Sequence, residues 1–135
     1  MAEKIQLELV TPERRVLAEP VEMVTVPGLN GEMGILPGHT PLISQLQTGV
    51  LSYVQDGKTS QLLVSGGFVE VRDDHVSVLA VVAERPEEID VASARSARER
   101  LEKQLTAWTG SEDDLEVART ELAKSEVRLQ LTSRT

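Results

Sequence analysis

Residues 76–94 read Val76-Ser77-Val78-Leu79-Ala80-Val81-Val82-Ala83-Glu84-Arg85-Pro86-Glu87-Glu88-Ile89-Asp90-Val91-Ala92-Ser93-Ala94, and the apolar period changes within them. Before the change the period is two. Val76, Val78 and Ala80 hold every second position of the run to Val82, the mark of a strand with one buried face. After Asp90 the spacing becomes three and four, through Ala94, Ala97, Leu101, Leu105 and Trp108, with Arg95, Arg98, Glu99 and Glu102 on other faces. That pattern is an amphipathic helix, with Asp90 as its N-cap. The switch divides the chain into a β domain over residues 1–86 and a helical domain over 87–135.

Upstream of the switch, Ile5, Leu7 and Leu9 alternate with Gln6 and Glu8, and Val24 and Val26 flank Thr25. Turn signals separate such runs: Thr11-Pro12, Pro27-Gly28, Asn30-Gly31, Pro37-Gly38, Asp56-Gly57, Gly66-Gly67 and Asp73-Asp74. Many short strands divided this way predict an all-β sandwich, or flattened barrel, rather than a βαβ sheet. Asp56-Gly57, between Val50–Val54 and Leu62–Val64, is the clearest hairpin. Downstream, Thr109-Gly110-Ser111 interrupts the helix, Ser111 can cap a second one with Asp114 at its third position, and Leu115, Ala118, Leu122, Ser125 and Leu129 form a second stripe. The β domain is therefore expected to be followed by an antiparallel helical hairpin. Its seam mixes leucine with alanine and serine, so most leucines face the other helix and few remain to dock on the sandwich. At about 25 cal/mol per Å² of apolar burial, a docking contact of a few hundred Å² contributes only several kcal/mol before ordering costs. Such a hairpin is able to detach.

At 135 residues with 40% hydrophobic side chains, the chain is long enough to bury its own core. Its aromatics are Tyr53, Phe68 and Trp108, and its formal charge is -8, so it offers neither stacking platforms nor attraction to phosphate, and no nucleic-acid partner is expected. Without cysteine it has no disulfide, thiolate metal site or cysteine nucleophile, and two histidines are too few for a zinc site with three imidazoles. No stretch reaches the roughly 18 apolar residues of a membrane span, and Met1-Ala2-Glu3-Lys4 lacks the apolar segment of a signal peptide. A cytosolic protein is expected, at a membrane only through a partner. Charge divides unevenly: residues 1–88 carry 6 basic and 13 acidic side chains, net -7, and residues 89–135 carry 8 and 9, net -1.

Gly28-Leu29-Asn30-Gly31-Glu32-Met33-Gly34 superficially matches a phosphate loop, but Ile35-Leu36-Pro37-Gly38 follows and cannot open the helix such a loop needs. The glycines read as a structural turn that projects Glu32 to solvent or to a partner. His39 has no evident nucleophile or orienting carboxylate, so an interface or turn role suits it better than general base catalysis, and His75 opens a strand. Glu84, Glu87, Glu88 and Asp90 match no calcium loop and read as a hinge and helix cap. The cations Arg95, Arg98, Arg100 and Lys103, interleaved with Glu99 and Glu102, have the pattern of a solvated face. No catalytic residue and no metal site is predicted.

Three sets of runs together resemble the epsilon subunits of bacterial rotary F-type ATP synthases: Leu9-Val10-Thr11-Pro12-Glu13-Arg14; Val26-Pro27-Gly28 with Gly31 through Leu42; and Ser65 through Val71 with Val76-Ser77-Val78-Leu79-Ala80. The hairpin follows where that family has one. The resemblance implies a non-catalytic rotor component that joins the gamma subunit to the membrane c-ring during proton-driven ATP synthesis, at the cytoplasmic face of the plasma membrane. It implies a c-ring contact at Gly31 and Glu32, and a gamma-facing segment at His39, Thr40, Pro41 and Leu42. It also implies that the hairpin rises beside gamma to block hydrolysis, with Arg95, Arg98, Arg100 and Lys103 meeting the catalytic β subunits in the head of α and β subunits. Residues 90–132, fully helical, would span about 65 Å.

Some members of the family bind regulatory ATP through an Ile/Leu-Asp-x-x-Arg-Ala motif. Here the run is Ile89-Asp90-Val91-Ala92-Ser93-Ala94, with serine where that arginine belongs, while Asp90, Ala94 and Arg100 remain compatible with a nucleotide. No cofactor is required. Two readings compete with the rotor subunit: a small-molecule-binding β module with a helical lid, and an adaptor dimerising through its helices, for which the helices are short.

Overall fold

The computed structural model describes residues 3–133. Eight strands come first: β1 (Ile5–Val10), β2 (Arg15–Val21), β3 (Met23–Gly28), β4 (Gly31–Ile35), β5 (Leu42–Gln45), β6 (Gly49–Gln55), β7 (Lys58–Arg72) and β8 (His75–Glu84). A 3-10 turn at Pro86–Glu88 leads to α1 (Val91–Thr106) and α2 (Glu112–Thr132). The hydrogen-bonded order is β2-β1-β8-β7-β6-β3-β4, with β5 on β7. Every pairing is antiparallel except β1 with β8, which run parallel from Gln6 opposite His75 to Val10 opposite Leu79. Asp56 and Gly57 form the expected two-residue hairpin turn, with φ of 51° and 79°.

The long strand β7 makes the sandwich. Its first half, Lys58–Val64, pairs with β6, and its second half, Phe68–Val71, pairs on the same edge with β5. Between the halves stand Gly66 and Gly67, with φ of 70° and 95°. Left-handed backbone at two successive residues is open to glycine and closed to most others. The kink also changes which residues face inward. Leu62 and Val64 point to the core before it and Val69 and Val71 after it, and on the partner strand the core positions pass from Val76, Val78 and Ala80 to Ala83. The alternation in the sequence predicts Val82 inward; it is half-buried instead, because the ribbon turns over beside the two glycines.

One layer thus comprises β2, β1, the first half of β8, the second half of β7, and β5. The other comprises the second half of β8, the first half of β7, β6, β3 and β4. Between them lies an aliphatic core that includes Leu7, Leu9, Val24, Val26, Leu51 and Val78. Leu63 is fully buried yet outside that core, on the opposite face of β7, where α2 packs across β7 and β6.

The hairpin forms from the predicted signals. The Asp90 carboxylate accepts a hydrogen bond from Ser93 N at 3.1 Å, and Ser111 Oγ accepts one from Asp114 N at 3.1 Å. In the connecting loop, Trp108 Nε1 donates to the Ser111 carbonyl at 3.2 Å. Ala94, Leu101, Ala118 and Ser125 are the buried helical residues. The small side chains of Ala94, Ala118 and Ser125 let the helices lie close to each other and α2 lie close to the sheet.

Candidate functional site

The junction between the domains is pinned by arginines of the sandwich side. Arg85 Nη2 donates to the Val16 carbonyl at 2.9 Å. Arg14 Nη2 stands 2.9 Å from both carboxylate oxygens of Glu88, and Glu88 Oε1 also accepts from Arg85 N at 2.8 Å. The Arg14 hydrogen bond, joined by that from the Arg85 backbone, holds the Glu88 carboxyl below its ordinary value, and the Asp90 carboxyl is lowered by its bond to Ser93 N.

Past this junction a cleft of about 430 Å³ opens between the sandwich edge and the helices. It brings together Asp90, Ala94 and Arg100, the three residues marked as compatible with a nucleotide, and adds Glu84, Glu88, Ser93 and Arg128. Arg128 is already engaged: its Nε donates to Glu84 Oε1 and its Nη2 to Glu84 Oε2, each at 2.8 Å. Glu84 is paired with Arg128 and Glu88 with Arg14, so among the described residues Asp90 and Arg100 are the charged lining groups outside any ion pair. A triphosphate placed here would meet Glu84, Glu88 and Asp90 with only Arg100 unpaired to receive it. These residues do not fit a polyphosphate in this arrangement.

The remaining candidates lie elsewhere. Gly31 and Glu32 begin β4, beyond the Leu29-Asn30 turn, and the Glu32 side chain is exposed. His39 N donates to the Leu36 carbonyl at 3.1 Å and its Nδ1 lies 2.7 Å from the Thr40 carbonyl, so the imidazole braces a turn. Thr40 and Pro41 are exposed, whereas Leu42 is half-buried against the core. On α1, Arg95, Arg100 and Lys103 are exposed and Arg98 is half-buried. None of the four joins an ion pair among the described residues. At about 100° per residue, Arg95 and Lys103 lie on the outer part of α1, Arg98 stands one turn from both Ala94 and Leu101 at the edge of the buried face, and Arg100 turns to the cleft. Among the described residues no group of three or more His, Cys, Asp or Glu side chains is arranged to hold a metal ion.

One surface escaped the sequence reading. Phe68 on β7 lies directly across from Leu79 on β8, and Ile43 and Val81 extend the same outer face. Ile43 is 70% exposed and Val81 64%. Beside them Val10, Pro12, Leu79 and Val81 line an almost wholly apolar groove of about 330 Å³. Leu79, an apolar residue at an outward position of an otherwise alternating strand, was the signal available. Among the described residues no helix is long and apolar enough to cross a membrane.

Residues 4–86 match the family model for the ATP synthase delta/epsilon chain β-sandwich domain, and residues 87–133 match the model for the long α-helix domain of the same chain. The ATP synthase epsilon chain of Pelotomaculum thermopropionicum is 52% identical over 110 residues, covering 81% of this chain and 82% of that one. The epsilon chain of Desulfitobacterium hafniense is 48% identical over 123 residues, 91% of this chain and 90% of that one. Among solved structures, a chain of the Euglena gracilis mitochondrial ATP synthase OSCP/F1/c-ring assembly is 32% identical with a TM-score of 0.79, covering 93% of this chain and 79% of that chain. A chain of the Tetrahymena thermophila mitochondrial central stalk/c-ring structure shares the fold at 16% identity, with a TM-score of 0.66 and coverage of 97% and 98%. Two matched domains in one unbroken order, a β-sandwich and then paired helices, place the chain in the ATP synthase delta/epsilon chain family.

Proposed function

We propose that this chain works in the central stalk of a bacterial F-type ATP synthase, where its sandwich links the gamma subunit to the c-ring and its hairpin restrains ATP hydrolysis. As a member of the family it is a non-catalytic stalk subunit. The observation that carries the rest is the uncovered apolar strip of Ile43, Phe68, Leu79 and Val81 on a rigid β body. A strip of this kind on a soluble domain suits a lasting protein contact, and it continues from the His39–Leu42 segment, so we assign both to the gamma-facing side. The Gly31-Glu32 turn, with its carboxylate in solvent, supplies a polar contact for the c-ring loops. Through these partners the chain is held at the cytoplasmic face of the plasma membrane.

The hairpin is the brake. Arg95, Arg98, Arg100 and Lys103 have no carboxylate partner among the described residues in the folded-down arrangement and are available to acidic segments of the catalytic head once the hairpin rises. The test is reconstitution of the synthase with a chain ending at Glu88, and separately with the four cations replaced by alanine. Faster ATP hydrolysis with ATP-driven proton pumping retained is expected from both. Hydrolysis unchanged in an intact assembly rejects the brake, and loss of assembly on truncation rejects the division of labour between the domains.

A further inference from the structure

We propose that the Glu84–Arg128 ion pair is an electrostatic catch that holds α2 against the sandwich and sets the fraction of chains whose hairpin is free. The two arginine–carboxylate bonds, each 2.8 Å, are the hydrogen bonds joining the two helices to the strands among the described residues. Ser125, the buried polar residue of α2, turns its hydroxyl back to the Glu121 carbonyl at 3.1 Å and makes no bond to the strands. On the face of β7 that α2 covers, the fully buried Leu63 lies directly opposite Glu84 in the β7–β8 register and so sits beside the pair.

The geometry suits a catch better than a passive surface contact. The bonding is bidentate, so it fixes the orientation of α2 as well as its proximity. The side chains are 23% and 26% exposed, dry enough for the attraction to count and wet enough for both groups to be rehydrated on release. Glu84 ends β8, just before the pinned Arg85, and Arg128 stands near the far end of α2, so the catch closes beside the hinge residues 86–90. The Glu84 hydrogen bond also raises the Arg128 pKa, in keeping with an engaged guanidinium. Opening the cleft frees Arg128 together with the already unpaired Arg100, so release adds one cation to those the hairpin presents.

The inference rests on the hairpin being the moving part, as proposed above, and it is tested on the isolated full chain, apart from any effect on the synthase. The chain has one tryptophan, in the hairpin loop, and no cysteine. An acceptor dye on Asn30→Cys, exposed next to Leu29, which lines one cleft with Glu116 of α2, reports the approach of Trp108 by energy transfer. Glu84→Gln and Arg128→Gln are each expected to lower the attached-to-detached ratio by a factor of roughly 5 to 30. The double variant should lose no more than either single change, and the exchanged pair Glu84→Arg with Arg128→Glu should recover most of the transfer. Unchanged transfer in both single variants overturns the catch, as do losses that simply add in the double variant. Should the catch fail while the Glu88-terminated chain still releases hydrolysis, the brake stands and only its fastening has been misassigned.

Discussion

A methyl group on Gly67 has no room: an ideal Cβ there would stand 1.8 Å from the Leu79 carbonyl oxygen. Gly38 shares a positive φ, 83°, but a Cβ on it meets nothing within 4 Å. Gly67→Ala is therefore expected to destabilise the sandwich by about 3 kcal/mol or more, and Gly38→Ala by about 1 kcal/mol, read as midpoint shifts in urea at constant m-value. Glu88 makes a prediction about pH. Its carboxyl is held below the ordinary 4.5 by Arg14 and by the Arg85 backbone, so the ionised form stabilises the folded junction. That contribution is fully present above 4.5 and is lost as pH falls through the lower folded value. The stability difference between the parent and Glu88→Gln should accordingly be constant at neutral pH and shrink below about pH 4, as denaturation at stepped pH will show.

At the scale of elements, the second helix depends on its cap. Ser111→Ala removes the acceptor for Asp114 N and should cost about 1 kcal/mol, appearing as faster amide exchange in the first turn of α2 while the strands keep their protection. The capping serine, the period change after Asp90, and the Asp56-Gly57 turn were all legible in the sequence because each is a local signal. The turnover of the β7–β8 ribbon was not, since Val82 and Ala83 are both apolar and only the left-handed pair of glycines decides which faces inward. The parallel union of β1 with β8 and the Glu84–Arg128 pair were hidden for a different reason: each joins residues far apart in the chain, and neither partner's type announces the other. Asp90, Ala94 and Arg100 were grouped by family resemblance alone, and folding does gather them in one cleft. The sequence did not disclose that carboxylates would crowd the same space.

For the molecule as a whole, the division into a body and a movable arm has a direct structural basis. The cluster of core residues contains no helical side chain, so the body does not need the arm in order to fold. A chain ending at Glu88 should keep a single cooperative unfolding transition, while exposure of Leu63 increases its binding of the dye ANS over that of the full chain. Loss of cooperativity on truncation would show that the helices complete the core.

The parallel neighbours β1 and β8 are the first and last strands of the sandwich, and this governs how the protein is made. During synthesis the opening strand must wait, half paired with β2, until His75–Glu84 has left the ribosome and the sheet can close around it. The helices emerge only after that strand, so the nascent arm first encounters a finished surface and lays itself down on it.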